Sequence, residues 1–430
     1  MHILMLCALE VWALPSGGGA PTLHRTLRAY SERGHKVTFV TATIGANAHL
    51  PGGALRRALP GRPIDLPGLT FERFHVASLQ ESRIALPAII TKADQKLRFA
   101  LLFPRLAAQR AEQVLQGNAV DVLYAYEVHG ALAAQRVQRR HRLPTVARFQ
   151  GTVLYPHLGS SLGRVRHYEE IQALRTRADL YIMTNDGTRG DAVLADVNPA
   201  AMSRLRFWRN GLDLERLRPV DAVRKASLRD ALGLPGDAII LLTASRLANW
   251  KRVDRAVAAM PSVLAAVPNA HLMIVGDGEE RTNLEDQAAR LGVSQRVLFM
   301  GAIHQERVSD YMQAADVLLT LADLSNVGNP LLEAMSCGLA IVAIDAGDTS
   351  DLIRDRETGL LAPSGDVHQF GPVIVELASN NDLRRRLAAG ARHYAEENFW
   401  TWDARLAAEV DEVERLGGQR IAGRVRNVAR

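Results

Sequence analysis

Short apolar runs rich in β-branched residues alternate along this chain with segments of helical periodicity. The runs lie at 2–9, 36–41, 121–126, 145–149 and 179–184 in the first half, and at 238–244, 270–275, 296–300, 316–321 and 340–344 in the second. Strands that alternate with helices predict parallel sheets covered by helices on both faces. Two series of about 200 residues each predict an α/β protein with two Rossmann-like, doubly wound domains that face each other across a cleft.

The boundary between the two series is predicted at residue 205. The turn Asn210-Gly211 follows it, Pro219 breaks the segment beyond that turn, and the second series restarts with the strand at 238–244. We therefore divide the chain into an N-terminal domain, 1–205, and a C-terminal domain, 206–399. The Arg- and Gly-rich segment 417–430 is predicted to be loose.

The composition excludes several classes of protein. A chain of 430 residues that is 47% hydrophobic and 23% charged is typical of a folded protein and not of a disordered one. The N-terminal run has no basic leader, so it is interpreted as a strand and the protein is expected in the cytoplasm. Cys7 and Cys337 stand in apolar surroundings without Cys-x-x-Cys or Cys/His spacing, so neither a disulfide framework nor a zinc site is predicted.

The positive charge of the chain favours partners that carry phosphate. The formal net charge is +6, yet the sequence has no helix-turn-helix spacing, RNA-recognition signature or zinc finger, so no nucleic acid partner is predicted. Segment 83–115 places basic residues among apolar ones at helical spacing. It has two interpretations. One is a packed helix pair with a solvated basic face, and the other is a peripheral contact with an anionic membrane, which would be the inner face of the membrane.

The stretch 315–363 has the pattern strand, loop, helix, strand. Asn329 is predicted as the N-cap of its helix, Pro330 as the first helical residue and Gly338 as the left-handed end. Glu333 would then lie near the helix start, beside the carboxyl end of a parallel strand, where a carboxylate can accept hydrogen bonds from both hydroxyls of a ribose. The alternative role for Glu333 is a favourable interaction with the helix dipole.

Other residues at the carboxyl ends of predicted strands suit a phosphorylated ligand. Arg246 and Lys251 follow strand 238–244 and could stabilise the charge of a departing nucleoside diphosphate without a metal. The glycines 17–19 precede a helix, and their backbone could approach a diphosphate. The alternative is that glycine is needed there only for the conformation of the turn. Gly276 lies in a tight turn near a base or ribose, and residues 347–350 offer a phosphate-binding nest.

These motifs together resemble glycosyltransferase family 4. The resemblance rests on their order and spacing, namely Asn210-Gly-Leu-Asp213, Arg246-x4-Lys251, Ile274-Val-Gly-Asp-Gly278, Glu333-Ala-Met-x-Cys-Gly338 and Glu357-Thr-Gly-Leu-Leu-x-Pro363. It implies a GT-B fold, an N-terminal domain that binds the acceptor and a C-terminal domain that binds the nucleotide sugar. It also implies that a C-terminal helix, 400–416, packs back on the N-terminal domain, and that sugar transfer is retaining and needs no metal or cofactor.

The resemblance assigns roles to individual residues. Arg246 and Lys251 would be the catalytic cations that bind the diphosphate. Donor contacts would come from Gly18, Gly19, Gly276, Ser325, Asn326, Gly328, Asn329, Glu333, Thr349 and Ser350. Glu127, His129 and Gln150, which follow strands of the first domain, are candidates for the acceptor side, with ordinary surface polarity as the alternative.

Two positions depart from the family pattern. Ser325 stands where the family has a glutamate that contacts the donor sugar, so the sugar is expected to be unusual, or Asn326 or Asn329 to substitute. Gln150 stands where the family has histidine, and an amide cannot exchange a proton at neutral pH. Acid–base work by that residue is therefore excluded, while transfer assisted by the leaving phosphate is not.

The sequence thus predicts a retaining glycosyltransferase that moves a sugar from a nucleoside-diphosphate sugar, UDP- or GDP-linked, to an acceptor hydroxyl or amine. Sugar, lipid-linked and small-molecule acceptors all fit, in polysaccharide, glycolipid or secondary-metabolite glycoside synthesis. A non-catalytic protein that binds nucleotide sugar is the alternative, and a sugar-nucleotide epimerase of the same architecture is a further one. Retention of Arg246, Lys251 and Glu333 argues against a decayed site.

Overall fold

A computed structural model describes residues 1–9, 21–44, 64–76, 88–323, 327–363 and 370–428. Gly18 and Gly19, together with Ser325 and Asn326, lie outside the described residues. The chain divides into two compact units. The first contains 1–184, 190–208 and 405–430, and the second contains 185–189 and 209–404.

The described residues form thirteen strands and fourteen α-helices. The strands are β1 His2–Cys7, β2 Lys36–Ile44, β3 Leu69–Val76, β4 Val122–Tyr126, β5 Thr145–Phe149, β6 Leu180–Thr184, β7 Leu205–Trp208, β8 Ile240–Ala244, β9 His271–Val275, β10 Val297–Gly301, β11 Val317–Thr320, β12 Ala340–Ile344 and β13 Leu360–Ala362. The helices are α1 Pro21–Glu32, α2 Ala88–Gly117, α3 Glu127–Gln138, α4 Ser161–Arg166, α5 Tyr168–Leu174, α6 Gly190–Val197, α7 Ala222–Ala231, α8 Val253–Ala266, α9 Arg281–Arg290, α10 Val308–Ala314, α11 Asn329–Cys337, α12 Phe370–Ser379, α13 Asn381–Asn398 and α14 Trp402–Val428. None of the described helices combines the length and apolar character that crossing a bilayer requires.

Each unit is built on one parallel sheet. The order is β3-β2-β1-β4-β5-β6-β7 in the first unit and β10-β9-β8-β11-β12-β13 in the second. Both orders reverse direction next to the first strand of the unit, between β1 and β4 and between β8 and β11, as in a doubly wound Rossmann fold. The two doubly wound sheets expected from the sequence are therefore confirmed.

The central strands carry apolar side chains on both faces. All six residues of β1 are buried. Leu4 and Leu6 pack with α2 and α3 on one face of the first sheet, whereas Ile3 and Met5 pack with α1 and α14 on the other. Burial on both faces explains why such strands have continuous apolar sequences.

The structure corrects three details of the sequence prediction. Segment 417–430, expected to be loose, continues α14 as far as Val428, because the Gln, Arg and Ala residues beyond the Gly417-Gly418 pair favour helix. The N-cap of α11 is Gly328 and not Asn329, so Pro330 is the second helical residue. β7 belongs to the first unit, which therefore extends to Trp208 instead of residue 205.

A buried charged cluster fastens α14 into the first unit. Glu409 of α14 accepts hydrogen bonds from Arg148 of β5, from Arg405 Nη1 at 2.9 Å and from the Tyr124 hydroxyl at 2.6 Å. The side chains of Arg148, Arg405 and Glu409 are 0–1% exposed. Burial by itself would raise the pKa of Glu409, but the two guanidinium groups outweigh it and hold the pKa below its ordinary value.

In the second unit the loops after β8 and β9 interlock through their backbones. Leu247 N–H donates to Asp277 O at 3.0 Å, and Glu280 N–H donates to Leu247 O at 3.0 Å. Gly276 adopts φ +134°, and a Cβ there would lie 1.8 Å from Ser245 O. This close approach requires glycine and fixes the loop that carries Arg246 and Lys251.

We expect Glu409→Gln to destabilise the first unit by about 3–5 kcal/mol, because it leaves two buried guanidinium groups without a compensating charge. Differential scanning calorimetry measures the loss as a lower melting temperature of that unit. Asp411→Asn, two residues along the same helix, removes a carboxylate that is 62% exposed and pairs with Arg33, and serves as the control. Equal melting temperatures for Glu409→Gln and the control would contradict the role of the cluster.

We expect Gly276→Ala to destabilise the second unit, since the left-handed backbone alone costs about 1–3 kcal/mol and the clash with Ser245 O adds to it. Gly236→Ala is the matched control, because a Cβ at Gly236 would meet no atom within 4 Å. Calorimetry of both variants tests the expectation. It is wrong if the two variants melt at the same temperature.

Candidate functional site

The second sheet has a pocket at the point where its strand order reverses. The pocket lies at the carboxyl ends of β8 and β11, and its lining includes Ser245, Lys251, Thr320, Ala322, Gly328 and Pro330. Open α/β sheets bind ligands at this position. Two of the residues predicted from the sequence, Lys251 and Gly328, therefore share one pocket.

Lys251 ends a short 3₁₀ turn, Asn249–Lys251, that follows β8. Its side chain is half-buried, and the Nζ atom lies 4.1 Å from the centre of the Trp250 ring. Burial lowers the pKa of Lys251 to about 8, Asp186 opposes this shift, and Arg246 adds to it. Lys251 is therefore a cation at neutral pH, and the exposed Arg246, five residues earlier in the same loop, is a second cation whose charge acts on Lys251.

Helix α11 begins at this pocket with Asn329 as its first residue. Asn329 Oδ1 accepts a hydrogen bond from Asn210 Nδ2 at 3.0 Å, which joins the Asn210-Gly211 motif to the helix start. Because the helix begins earlier than expected, Glu333 lies in its second turn, where the side chain is half-buried. Glu333 also adds to the burial effect that raises the pKa of Cys337, one turn further on, to about 12.

The predicted phosphate nest at 347–350 differs from a simple row of free N–H groups. Thr349 is fully buried, and both its N–H and its hydroxyl donate to Ala346 O, at 3.2 and 2.6 Å. Asp348 is buried and pairs with Arg189 at 2.8 Å. Ser350 is exposed. The donor role assigned to Thr349 and Ser350 stays a prediction, and the N–H of Thr349 is already used.

A segment that the sequence prediction left out joins these loops. Residues Asn185–Arg189 follow β6 of the first unit but belong to the second unit. Gly187 packs against Val327, and Arg189 forms the ion pair with Asp348. The run Asn-Asp-Gly-Thr after a buried strand was the available signal, since it places a carboxylate at a strand end.

In the first unit, Glu127 and Gln150 contact each other at the ends of β4 and β5. Gln150 N–H donates to Glu127 Oε1 at 2.7 Å, and the Gln150 amide donates to the Tyr126 hydroxyl. Glu127 has φ +63°, a strained backbone conformation for a residue with a side chain. Strain of this kind persists where surrounding contacts enforce it, often at functional sites.

His129 lies two residues further along α3 and contacts side chains of neighbouring helices. Its ring meets Phe103 edge-on at 6.3 Å, and Nε2 lies 3.8 Å from Glu169 Oε2. Burial lowers the pKa of His129 to about 4, so the imidazole is neutral at pH 7 and the contact with Glu169 is not an ion pair. The structure thus brings Glu127 and Gln150 into direct contact and gives His129 different partners.

Residues 224–394 match the family described as glycosyl transferases group 1. The D-inositol 3-phosphate glycosyltransferase of Xylanimonas cellulosilytica is 31% identical over 293 residues, which are 66% of this chain and 68% of that protein. The protein of the same name from Streptomyces bingchenggensis is 33% identical over 210 residues, which are 47% of this chain and 45% of that protein. The chain therefore spans about half the length of this relative, and the same holds for others.

Solved structures share the fold at low sequence identity. Sucrose-phosphate synthase from Thermosynechococcus elongatus matches with a TM-score of 0.75 and 20% identity, over 98% of this chain and 100% of that chain. Anabaena HepE in complex with UDP and glucose matches with a TM-score of 0.67 and 19% identity, over 96% and 98% of the two chains.

The sequence motifs, the two Rossmann-like sheets and the relatives agree with one another. The identity and coverage of the Xylanimonas protein establish common family membership, and the structural matches establish the architecture. The chain therefore belongs to the group 1 glycosyltransferases, family 4, which have the GT-B fold.

Proposed function

We propose that this protein transfers a sugar, with retention at the anomeric carbon, from a nucleoside-diphosphate sugar to a hydroxyl or amine of an acceptor. The observation that carries the proposal is the half-buried Lys251 in the pocket where the second sheet reverses its order, with Arg246 on the same loop. A partly desolvated cation at this position interacts strongly with an anion, because water screens the charge less there than at the surface.

The proposed reaction breaks the bond between the sugar and the diphosphate. Charge then develops on the phosphate oxygens, and Lys251 and Arg246 stabilise it as fixed cations. The new bond joins the anomeric carbon to the acceptor oxygen or nitrogen, and the leaving phosphate takes the acceptor's proton on the same face of the sugar. These cations are proposed to do this work without a metal or a cofactor.

Other residues of the second unit are proposed to bind the donor. The Glu333 carboxylate, half-buried in the second turn of α11, would accept hydrogen bonds from the two ribose hydroxyls. Gly276 would place its tight turn beside the base or ribose, and Gly328 and Asn329 would lie beside the sugar. UDP and GDP are the proposed nucleotides.

The acceptor is proposed to bind to the first unit near Glu127 and Gln150, with His129 at the edge of that site. The relatives are named for an inositol phosphate acceptor, so a phosphorylated polyol is one class to test, beside sugar and lipid-linked acceptors. Since Gln150 cannot take up a proton, the proposed route through the leaving phosphate assigns it only a positioning role.

The function is tested first by finding which of UDP and GDP raises the melting temperature, and then by measuring transfer from the matching sugar nucleotide. We expect Lys251→Ala to lower the turnover by about 10²–10³-fold, since one charge-stabilising group is lost from the transition state. Arg224→Ala removes an exposed cation of the same unit and is the control. A nucleotide that stabilises the protein without any transfer would favour the non-catalytic binding protein, and full activity of Lys251→Ala would remove the leaving-group assignment.

We also propose a peripheral contact with an anionic membrane through α2, within segment 83–115. Leu97 and Leu101 are 60% and 61% exposed, and the exposed Arg105 follows one turn later. Exposed apolar side chains beside a basic one match the interface of an anionic bilayer.

Replacing both Leu97 and Leu101 with Asp is expected to abolish binding to phosphatidylglycerol vesicles, because it places charge where apolar contact is proposed. Co-sedimentation measures the bound fraction. Leu291→Asp changes an exposed leucine of the second unit and should leave binding intact. If the wild-type protein stays in the supernatant, the membrane contact is refuted and the basic face of α2 is simply solvated.

A further inference from the structure

The segment Asn185–Arg189 leaves the first unit after β6, contributes five residues to the second unit, and returns at α6. Three contacts hold it there. Arg189 Nε lies 2.8 Å from Asp348 Oδ1. A Cβ on Gly187, which has φ +83°, would lie 3.1 Å from Val327, and a Cβ on Gly347 would lie 3.2 Å from Gly187 O. The segment therefore packs on both loops that are proposed to surround the donor.

Within this segment the Asp186 carboxylate is held in a fixed position. Thr188 donates to Asp186 Oδ1 through its hydroxyl at 2.6 Å and through its N–H at 3.2 Å. Two hydrogen bonds to one oxygen fix the plane of the carboxylate, so its charge has a defined location. Burial nevertheless raises the pKa of Asp186 to about 6, against the effect of Thr188 and the nearby Lys251.

Gly187, the residue after Asp186, packs against Val327, and the next residue, Gly328, lines the same pocket as Lys251. This packing brings the Asp186 carboxylate to the Lys251 pocket, where it acts as an opposite charge. Asp186 works against the loss of the Lys251 proton, whereas Arg246 promotes it. The next residue, Arg252, forms ion pairs with Asp254 at 3.0 Å and with Asp323 at 3.2 Å, so its charge is compensated by other groups. Among the described residues, Asp186 is thus an acidic group that offsets the burial of Lys251.

We propose that Asp186 is a positioning residue of the donor site, which keeps the Lys251 ammonium charged and in place until a nucleoside diphosphate provides the negative charge instead. This inference rests on the proposed function and goes beyond it, since it adds a segment from the first half of the chain to the donor site. Asp186 acts through Lys251 and has no contact with the sugar in this proposal.

The coupling can be measured without activity. The sequence has five lysines, so the protein with its lysines ¹³C-dimethylated gives few NMR signals, and Lys251→Arg identifies the signal of Lys251. In the wild type we expect this signal to titrate near pH 8, whereas solvated lysines titrate near about 10.4. Asp186→Asn should lower the Lys251 midpoint by about one pH unit, because the opposing charge is removed while the burial remains.

Two further variants separate coupling from general damage. Asp382→Asn removes an exposed carboxylate at the start of α13 and should leave the Lys251 midpoint unchanged. Thr188→Val keeps the carboxylate but removes the hydroxyl that orients it, and should lower the midpoint by less than Asp186→Asn does. An unchanged midpoint in Asp186→Asn, in protein with native calorimetric melting, would overturn the proposal.

The same titration distinguishes this inference from the proposed function. UDP or GDP should raise the Lys251 midpoint in the wild type, since a diphosphate brings negative charge next to the ammonium. A Lys251 midpoint that falls in Asp186→Asn and rises with UDP or GDP in the wild type supports the donor-site role. A midpoint that falls in Asp186→Asn but responds to neither nucleotide would overturn the donor-site role through failure of the proposed function, while the pairing of Asp186 with Lys251 would stand.

Discussion

Partial burial of a positive charge is the constraint on which the proposed donor site depends. Lys251 loses hydration in its pocket, which lowers its pKa to about 8, and Asp186 offsets part of that loss. The buried cluster of the first unit differs, because Arg148, Arg405 and Glu409 are 0–1% exposed and no ligand can reach them. Lys251 remains half-exposed. The buried cluster stabilises α14 in the first unit, whereas the half-exposed Lys251 is a cation that an anion can reach.

The sequence predicted the central strands well and missed three others, and one physical difference explains both results. β1, β4 and β8 are covered on both faces, so their sequences are continuous apolar runs. The missed strands β3, β7 and β13 are three of the four strands at sheet edges. The fourth, β10, was predicted because its sequence, VLFMG, is an apolar run. An edge strand is only partly covered, as the half-buried residues of β7 illustrate, so its sequence can lack that signal.

The candidate site was predictable where local motifs determine it. Arg246, Lys251 and Glu333 follow strands or lie on a helix with recognisable ends, so sequence alone could predict their places in the fold. Asp186 was not predicted, because its relation to Lys251 depends on a segment of the first half of the chain that packs into the second unit. Whether residues 347–350 form a phosphate nest depends on their backbone conformation, which the sequence does not determine. In the structure the Thr349 N–H already donates to Ala346 O.

The first unit offers no strong base among its three candidates, and this bears on the proposed mechanism. Gln150 carries an amide, which does not exchange protons at neutral pH. His129 has a pKa of about 4, so its imidazole is a weak proton acceptor. The Glu127 carboxylate already accepts the Gln150 N–H. In the proposed reaction, the group best placed to accept the proton of the acceptor is therefore the leaving phosphate itself. Lys251 and Arg246 would make that phosphate a better leaving group, and Asp186 would keep Lys251 charged, so the proposed catalytic work is concentrated on the donor.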